Sequence, residues 1–309
     1  MNGASASTAT GTTATASQGR GAGRFAPSPT GALHLGSLAT AVASYLDARH
    51  QGARWLLRIE DLDTARSRQG AADSILRVLE SLGFEWDGPV SYQSQRLELY
   101  REALSSLSAR GLTYECSCSR ADRGATTDAG GYPGTCRAGP RTTAPTAIRF
   151  RADLSPVRPF FDRLHGPVDV DAEGLGDPII RRRDGCFAYQ LAVVVDDAEQ
   201  GVTDVVRGDD LLPSTYWQRS LLGALGHGEP RYAHLPLVCE PGGGKLSKSK
   251  RSLAEPASAP TTLLWRVLKL LHQSPSVGLM SEPLSAVWEW AFAHWRLDAL
   301  RGVATLTAD

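Results

Sequence analysis

The sequence lacks a net charge, because 33 lysine and arginine residues balance 33 aspartate and glutamate residues. This balance excludes a protein coated in positive charge for nonspecific nucleic-acid binding; we expect no DNA partner, and any RNA contact must come from local basic groups. No apolar run approaches the roughly 18 residues that cross a bilayer, so we expect no membrane partner. Five irregularly spaced cysteines do not make a secreted disulfide framework. These absences predict a soluble protein of the cytoplasm.

The first 19 residues contain no charged side chain and consist almost entirely of Ala, Ser, Thr and Gly. They lack the charged start and apolar stretch of a signal peptide. They also offer too little apolar surface to offset the entropy lost on ordering. We therefore predict a disordered tail over residues 1–22.

Strand and helix patterns alternate after this tail. We predict strands at 24–26 and 54–59, and helices at 38–49, 74–82 and 96–109. This order is typical of a parallel sheet with helices on its faces. The sequence therefore predicts the α/β class.

The alternation is interrupted and then resumes. Residues 116–146 are rich in Gly, Thr, Pro and Arg and have no periodicity, which indicates an insertion. Asp184-Gly185 predicts the turn of a hairpin over residues 178–195. Further predicted elements are strands at 147–150, 156–164, 202–210 and 234–240, and helices at 212–226, 263–272 and 284–300.

Two motifs suggest a nucleotide site. In RFAPSPTGALHLGS, residues 24–37, prolines stiffen a turn at the mouth of a helix whose first N–H groups can bind phosphate. His34 is positioned to donate to that phosphate. Far downstream, KLSKS, residues 245–249, offers two lysines that can neutralise a triphosphate. Each motif alone also fits a plain surface loop; their conjunction favours the nucleotide site.

FAPSPTG, RIEDLD and KLSKS together resemble the class I aminoacyl-tRNA synthetases, in particular the glutamyl branch. HLGS stands where that family carries HIGH, with Ser37 as a departure, and KLSKS stands where it carries KMSKS. The resemblance covers residues 24–252 and implies a Rossmann-like parallel-sheet catalytic core. It implies a catalytic domain over 23–255 with a zinc-binding insertion at 116–146, followed by a helical segment over 256–309.

Only 57 residues follow Ser252, too few for an independent anticodon-binding domain. A synthetase core without that domain resembles the glutamyl-Q tRNA(Asp) synthetases. The resemblance implies that L-glutamate is activated with ATP, in the presence of Mg²⁺, and attached to queuosine at the wobble position of tRNA(Asp). We expect a monomer that contacts RNA through groups such as Arg181 to Arg183 and the KSKR segment. A compact glutamyl-tRNA synthetase, a non-catalytic tRNA-binding paralogue and a small-molecule nucleotidyl transferase are the alternatives.

The glutamate pocket needs cations for two carboxylates and an anion for one ammonium group. Arg24 and Arg207 are the predicted carboxylate partners, Glu60 the ammonium partner and Tyr189 a hydroxyl donor. The resemblance assigns glutamate binding to these four and to Phe25, Ala26, Pro27 and Ser28. Asp61 and Asp63 are further candidates, and they also fit a helix cap.

Catalysis is expected to be electrostatic, with His34 and Lys248 stabilising charge during attack on the α-phosphate. The resemblance implies an ATP site formed by His34, Gly36, Ser37, Lys245, Ser247 and Lys248. No covalent nucleophile is predicted.

Cys116, Cys118 and Cys136 lie within 21 residues in the insertion. The spacing fits either a zinc site or unligated thiols, because no nearby His completes four ligands. The resemblance supplies Tyr132 as the fourth ligand and implies one Zn²⁺ per chain. Cys186 and Cys239 are expected to be ordinary packing residues.

Overall fold

The computed structural model of the chain describes residues 21–119, 122, 131–169, 175–239 and 259–307. Most of the predicted tail and the predicted ATP residues Lys245, Ser247 and Lys248 lie outside the described residues. Ala22, which the sequence prediction placed in the tail, is instead the buried first residue of a strand.

Strands and helices alternate in the first hundred residues, as predicted. In chain order they are β1 (Ala22–Phe25), α1 (Leu35–His50), β2 (Arg54–Ile59), α2 (Ala71–Ser81), β3 (Ser91–Tyr92) and α3 (Leu97–Ala109). The three strands form a parallel sheet in the order β1-β2-β3. All residues of β2 except Arg54 are buried, Trp55, Leu56 and Leu57 among them. Such a strand is buried on both faces of the sheet, as is usual for parallel sheets.

The middle of the chain contributes five strands to two sheets. These strands are β4 (Thr113–Cys116), β5 (Ala147–Phe150), β6 (Phe160–Asp162), β7 (Gly166–Val168) and β8 (Ile179–Arg181). β4, β5 and β8 form the antiparallel sheet in the order β4-β5-β8, whereas β6 and β7 form a hairpin that joins a second, mostly parallel sheet.

The remaining elements include two further strands of this second sheet, the strands of a separate two-stranded sheet, and four helices. They are α4 (Tyr189–Glu199), β9 (Asp204–Gly208), α5 (Leu212–Leu225), β10 (Arg231–Leu235), β11 (Leu237–Cys239), α6 (Pro260–Leu270), α7 (Leu284–His294) and β12 (Thr305–Thr307). The strand order of the second sheet is β7-β6-β10-β9. A parallel bridge between Ala22 of β1 and Val202, just before β9, connects this edge of the second sheet to the first sheet. The strand ends of β2, β1, β9 and β10 thereby open in one direction, which is the arrangement of a Rossmann-like core.

The predicted hairpin over 178–195 is partly wrong. The turn is present, with Gly185 at φ +87° and the Arg182 N–H donating to the Cys186 carbonyl at 2.8 Å. The second arm, however, becomes helix α4 from Tyr189 onward. Its apolar run is buried between α3 and α5, and this packing outweighs the strand preference of three consecutive valines. Cys186 therefore lies in the turn and not in an apolar strand.

Other boundaries also differ from the predictions. Of the strand predicted over 156–164, only Phe160–Asp162 is a strand. The strand predicted over 234–240 is replaced, as far as Cys239, by two strands, β10 and β11, because Pro236 interrupts the ladder between them. The helix predicted to end at Leu300 ends at His294 and is followed by a 3₁₀ turn, Leu297–Leu300. β12, which pairs in parallel with β11, was not predicted.

The largest core joins the first and last parts of the described chain. α6 and α7 pack against α1. Trp288 of α7 lies 5.2 Å from Tyr45 and 5.1 Å from Phe84 between ring centroids, and its indole N–H donates to the Leu82 carbonyl at 2.8 Å. Trp55 stacks on Phe84 from the sheet side. Among the described residues, no helix is both long enough and apolar enough to cross a membrane.

Candidate functional site

A cleft of about 1370 Å³ opens at the carboxyl ends of β1, β2, β9 and β10. This is where the strand order changes direction, and such crevices are the usual ligand sites of open α/β sheets. The structure brings together every predicted substrate and nucleotide residue that it describes. The cleft-lining residues from the predicted set are Arg24, Phe25, Ala26, Pro27, Ser28, His34, Gly36, Ser37, Glu60, Tyr189 and Arg207.

Two arginines share one buried carboxylate next to the cleft. Arg24, at the end of β1, places its Nε 3.3 Å from Oδ2 of Asp197 in α4. Arg58 of β2 donates to Oδ1 of the same carboxylate at 2.7 Å and to the side-chain oxygen of Gln200 at 2.6 Å. Buried charges are tolerated when they are paired and hydrogen-bonded. These contacts therefore fix α4 against the two strands that carry the site.

Glu60 follows β2 beside these arginines. Its backbone N–H donates to the Pro27 carbonyl at 3.0 Å, and its carboxylate lies 3.5 Å from Arg58. The side chain is only 8% exposed. Burial raises the pKa of Glu60 to about 7; Arg58 opposes this rise and the neighbouring Asp197 adds to it. A cationic ligand group at this position would favour the ionised carboxylate.

Arg207 differs from the other two arginines in its partners. It lies near the carboxyl end of β9 and is 4% exposed. Its guanidinium donates to Gln218 Oε1 and Thr215 Oγ1, both at 2.7 Å, and to His234 Nε2 at 3.1 Å. These three partners are uncharged. Among the described residues, no carboxylate forms an ion pair with Arg207. A buried cation without an anion is costly, so this site is suited to an anionic ligand.

Tyr189 and Phe25 line the cleft in different ways. Tyr189 is the first residue of α4, and burial raises the pKa of its hydroxyl, which keeps the group a hydrogen-bond donor. The Phe25 ring instead stacks on Trp55 in the core, with 6.4 Å between centroids. Phe25 therefore orients the end of β1.

His34 is the N-cap of α1. Its Nδ1 accepts the Ser37 N–H at 3.1 Å, and its Nε2 lies 3.1 Å from the Ser37 hydroxyl. The neutral ring therefore carries its proton on Nε2. A Cβ at Gly36 would lie 3.2 Å from His34 Nδ1, so a larger residue at this position would crowd the imidazole. The amino-terminal end of α1, with its positive dipole, opens onto the cleft.

The two aspartates of RIEDLD have structural partners. Asp61 accepts from the backbone N–H of Ser94 at 2.8 Å and from its hydroxyl at 2.6 Å, so it caps a distant 3₁₀ turn. Asp63 pairs with Arg66 at 2.6 Å and with Arg182 at 3.2 Å. Arg66 and Arg182, with Arg183, also line a second concavity of about 710 Å³ that leads from the cleft to the cysteine cluster.

The cysteine cluster is compact and mostly buried. The Sγ atoms of Cys116, Cys118 and Cys136 all lie within 4.8 Å of one another. The Tyr132 hydroxyl oxygen lies 3.3 Å from Cys116 Sγ and 3.5 Å from Cys118 Sγ. Zn–S bonds of about 2.3 Å in a tetrahedron separate sulfur atoms by about 3.8 Å. The four side chains therefore fit one tetrahedral ion with little movement.

Gly176 holds Tyr132 in this cluster. The two residues form a parallel bridge, and Gly176 has a φ of +60°. A Cβ at this position would lie 2.1 Å from the Tyr132 carbonyl oxygen, so only glycine permits the approach. The Trp217 indole N–H donates to the Gly176 carbonyl at 2.8 Å, which ties the cluster to α5.

Several residues of the site were not predicted from the sequence. The clearest are Asp197 and Arg58, which bridge α4 and β2. Both were visible as charges inside apolar runs, VVVDD and RWLLRI, and a charge in a buried run signals a buried partner. The contacts of His234 with Arg207 depend on the pairing of distant strands and left no local signal.

Comparisons with known proteins agree with this geometry. Residues 22–259 match the family described as tRNA synthetases class I (E and Q), catalytic domain. A glutamyl-Q tRNA(Asp) synthetase of Dechloromonas aromatica is 52% identical over 286 residues, covering 90% of this chain and 95% of that protein. The protein of the same name from Pseudomonas aeruginosa is 48% identical, covering 93% and 97%.

A solved structure has the same fold. The glutamate tRNA ligase of Elizabethkingia meningosepticum, crystallised with its amino acid, superimposes with a TM-score of 0.79 at 27% identity. The match covers 94% of this chain and 67% of that one. With the strand-end cleft, the family match over residues 22–259 and relatives near 50% identity, the chain belongs to the glutamyl-Q tRNA(Asp) synthetase family of class I (E and Q) synthetase catalytic domains.

Proposed function

We propose that this protein is an ATP-dependent ligase that activates L-glutamate and transfers the glutamyl group to queuosine in tRNA(Asp). The relatives near 50% identity carry the name of this activity. A glutamate carboxylate attacks the α-phosphorus of ATP, and pyrophosphate leaves. A hydroxyl of the queuosine cyclopentenediol then attacks the acyl carbon, AMP leaves and the hydroxyl proton is released.

The observation that carries the amino-acid assignment is the charge pattern of the cleft. Arg24 and Arg58 both pair with Asp197, whereas the acceptors around Arg207 in the described residues are uncharged. Arg207 therefore attracts a carboxylate, and Glu60 attracts an ammonium group. An α-amino acid matches both, and Arg24 offers a second cation for the side-chain carboxylate of glutamate.

The remaining roles follow from position. Arg24 is proposed to assist in carboxylate binding and Tyr189 to donate its hydroxyl, with Ala26, Pro27 and Ser28 forming the adjoining wall. His34, Gly36 and Ser37 are proposed to hold ATP at the α1 amino terminus, with Mg²⁺ on its phosphates. Lys245, Ser247 and Lys248 are assigned to the same nucleotide from the sequence alone.

We assign one structural Zn²⁺ to Cys116, Cys118, Tyr132 and Cys136. Three sulfur atoms and a phenol oxygen supply the four ligands that a closed tetrahedral zinc site needs, which leaves no position for a reacting water. The ion would hold β4 against the segment after residue 131.

We propose that the RNA lies along the second concavity, whose Arg66, Arg182 and Arg183 offer positive charge next to the cleft. Phosphate contacts position a nucleic acid, and an unpaired anticodon loop can place one splayed base in the cleft.

The acceptor is tested with labelled glutamate and two preparations of tRNA(Asp), one containing and one lacking queuosine. We expect label only on the queuosine-containing tRNA, and none on tRNA(Glu). Prior periodate oxidation should abolish labelling, because it destroys the queuosine diol. Label on tRNA(Glu), or equal labelling of both tRNA(Asp) preparations, would instead identify an enzyme that charges a tRNA 3′ end.

A further inference from the structure

Arg207 has a buried support on its far side from the cleft. Arg207 and His234 are paired opposite each other in the ladder between β9 and β10. Asp162, in the neighbouring strand β6, contacts the other ring nitrogen of the imidazole, with its Oδ2 2.7 Å from His234 Nδ1. The side chains of His234 and Asp162 are both 0% exposed. The three residues therefore form a line across three strands that ends at the cleft.

The hydrogen bonds define where the imidazole proton lies. A guanidinium only donates, so His234 Nε2 must be unprotonated to accept the Arg207 Nε–H at 3.1 Å. The proton is then on Nδ1 and is donated to Asp162. Asp162 is itself held by the backbone N–H groups of Leu164 at 2.8 Å and His165 at 3.1 Å. Burial lowers the pKa of His234, in agreement with a neutral ring.

A neutral acceptor has a specific advantage next to Arg207. A carboxylate in direct contact would orient the guanidinium but would also neutralise it, as Asp197 does for Arg24. An imidazole fixes the Nε–H and keeps the Asp162 carboxylate one residue away from Arg207. The positive charge of Arg207 thus remains available to a ligand in the cleft.

We propose that His234, oriented by Asp162, is a positioning residue that aims the Arg207 guanidinium at the substrate carboxylate. This inference rests on the proposed binding of glutamate beside Arg207. His234 is not in the cleft lining and does not touch the substrate. Its effect is on the affinity for glutamate and not on that for ATP.

The test compares His234→Phe and His234→Gln in glutamate-dependent exchange of pyrophosphate into ATP. Phe removes the acceptor, whereas the Gln side-chain oxygen can still accept from Arg207. We expect Phe to raise the KM for glutamate about 10- to 100-fold, the range for losing a hydrogen bond to a charged group. The KM for ATP should stay within about twofold, and Gln should restore most of the glutamate KM.

His227→Phe is the matched control, because it makes the same change at an exposed histidine. Thermal unfolding of each variant accompanies the kinetics. Equal rises in the KM for glutamate and for ATP, or a Gln variant as impaired as Phe, would show a merely structural role and overturn the proposal. An unchanged glutamate KM in His234→Phe would overturn it as well. If the wild-type protein itself shows no glutamate-dependent exchange, the proposed function fails instead.

Discussion

The carboxylate of Glu60 lies 3.5 Å from the guanidinium of Arg58, yet its pKa is raised to about 7. Burial outweighs the attraction of the neighbouring arginine, part of whose charge is already taken up by Asp197. Near neutral pH this carboxylate therefore exists in both protonation states. Ligand binding and pH are coupled at this position.

Glutamate affinity should follow the ionisation of Glu60. Since only the carboxylate attracts the substrate ammonium group, the KM for glutamate should fall about tenfold per pH unit as pH rises from 5 to 7, and then level off. Stability should change in the opposite direction. The folded pKa lies above the ordinary value of 4.5, so the contribution of this group to stability is lost as pH rises from about 4.5 to about 7.

Pyrophosphate exchange at a series of pH values measures the KM for glutamate, and denaturant unfolding at the same pH values measures the stability. Glu60→Gln is the control: its glutamate KM should be high and nearly constant from pH 5 to 8. A Glu60→Gln variant that retained the wild-type pH dependence would assign the titration to another group.

One zinc ion per chain is expected in protein purified without chelators. Cys136→Ser should lose most of it, because thiolate is a far better zinc ligand than a serine hydroxyl. Cys186→Ser is the matched control and should retain full zinc, since Cys186 lies in the Asp184-Gly185 turn. Elemental analysis decides the point, and full zinc content in Cys136→Ser would refute the assignment.

Gly176→Ala should also reduce zinc content although it removes no ligand. The added Cβ would overlap the Tyr132 carbonyl, 2.1 Å away, and displace that ligand. Gly139→Ala gives the comparison, because a Cβ there meets nothing within 4 Å although its φ is also positive, at +133°. Equal zinc content in the two variants would argue against a role of Tyr132.

Lys248→Ala should lower the exchange rate by orders of magnitude and leave glutamate binding largely unchanged. A lysine that contacts the phosphates stabilises the charge that develops as pyrophosphate leaves. Lys250→Ala, two residues along the same stretch, should have a much smaller effect. An unchanged rate in Lys248→Ala would remove this residue from the catalytic assignment.

Trp288→Ala should destabilise the protein by about 3–5 kcal/mol, the usual cost of removing a large aromatic side chain from a core. Trp288→Phe should cost less, since it retains an aromatic ring and loses mainly the hydrogen bond to the Leu82 carbonyl. Trp290→Ala, on the more exposed side of the same helix, should cost least. Urea unfolding of the three variants measures the order.

Much of the site was predictable because the family motifs lie at strand ends. Once β1, β2 and β9 are parallel neighbours, Arg24, Glu60 and Arg207 must meet at one edge of the sheet. The helical state of α4 was not predictable from its valine-rich sequence, because its packing between α3 and α5 decides it. The same limit applies to the line Asp162–His234–Arg207, since each member lies on a different strand.

The ion pairs of the cleft join residues that are far apart along the chain. Arg24 and Asp197 are separated by 173 positions, and Arg58 and Asp197 by 139. Contacts of such long range form only after the loop entropy between them has been overcome, and they slow folding. The glutamate pocket therefore forms late in the folding of a newly synthesised chain. Until α4 has left the ribosome and docked on β1 and β2, a nascent polypeptide with an intact HLGS turn has no amino-acid pocket. Recovery of glutamate binding during refolding would accordingly report completion of the whole sheet and not the formation of either half.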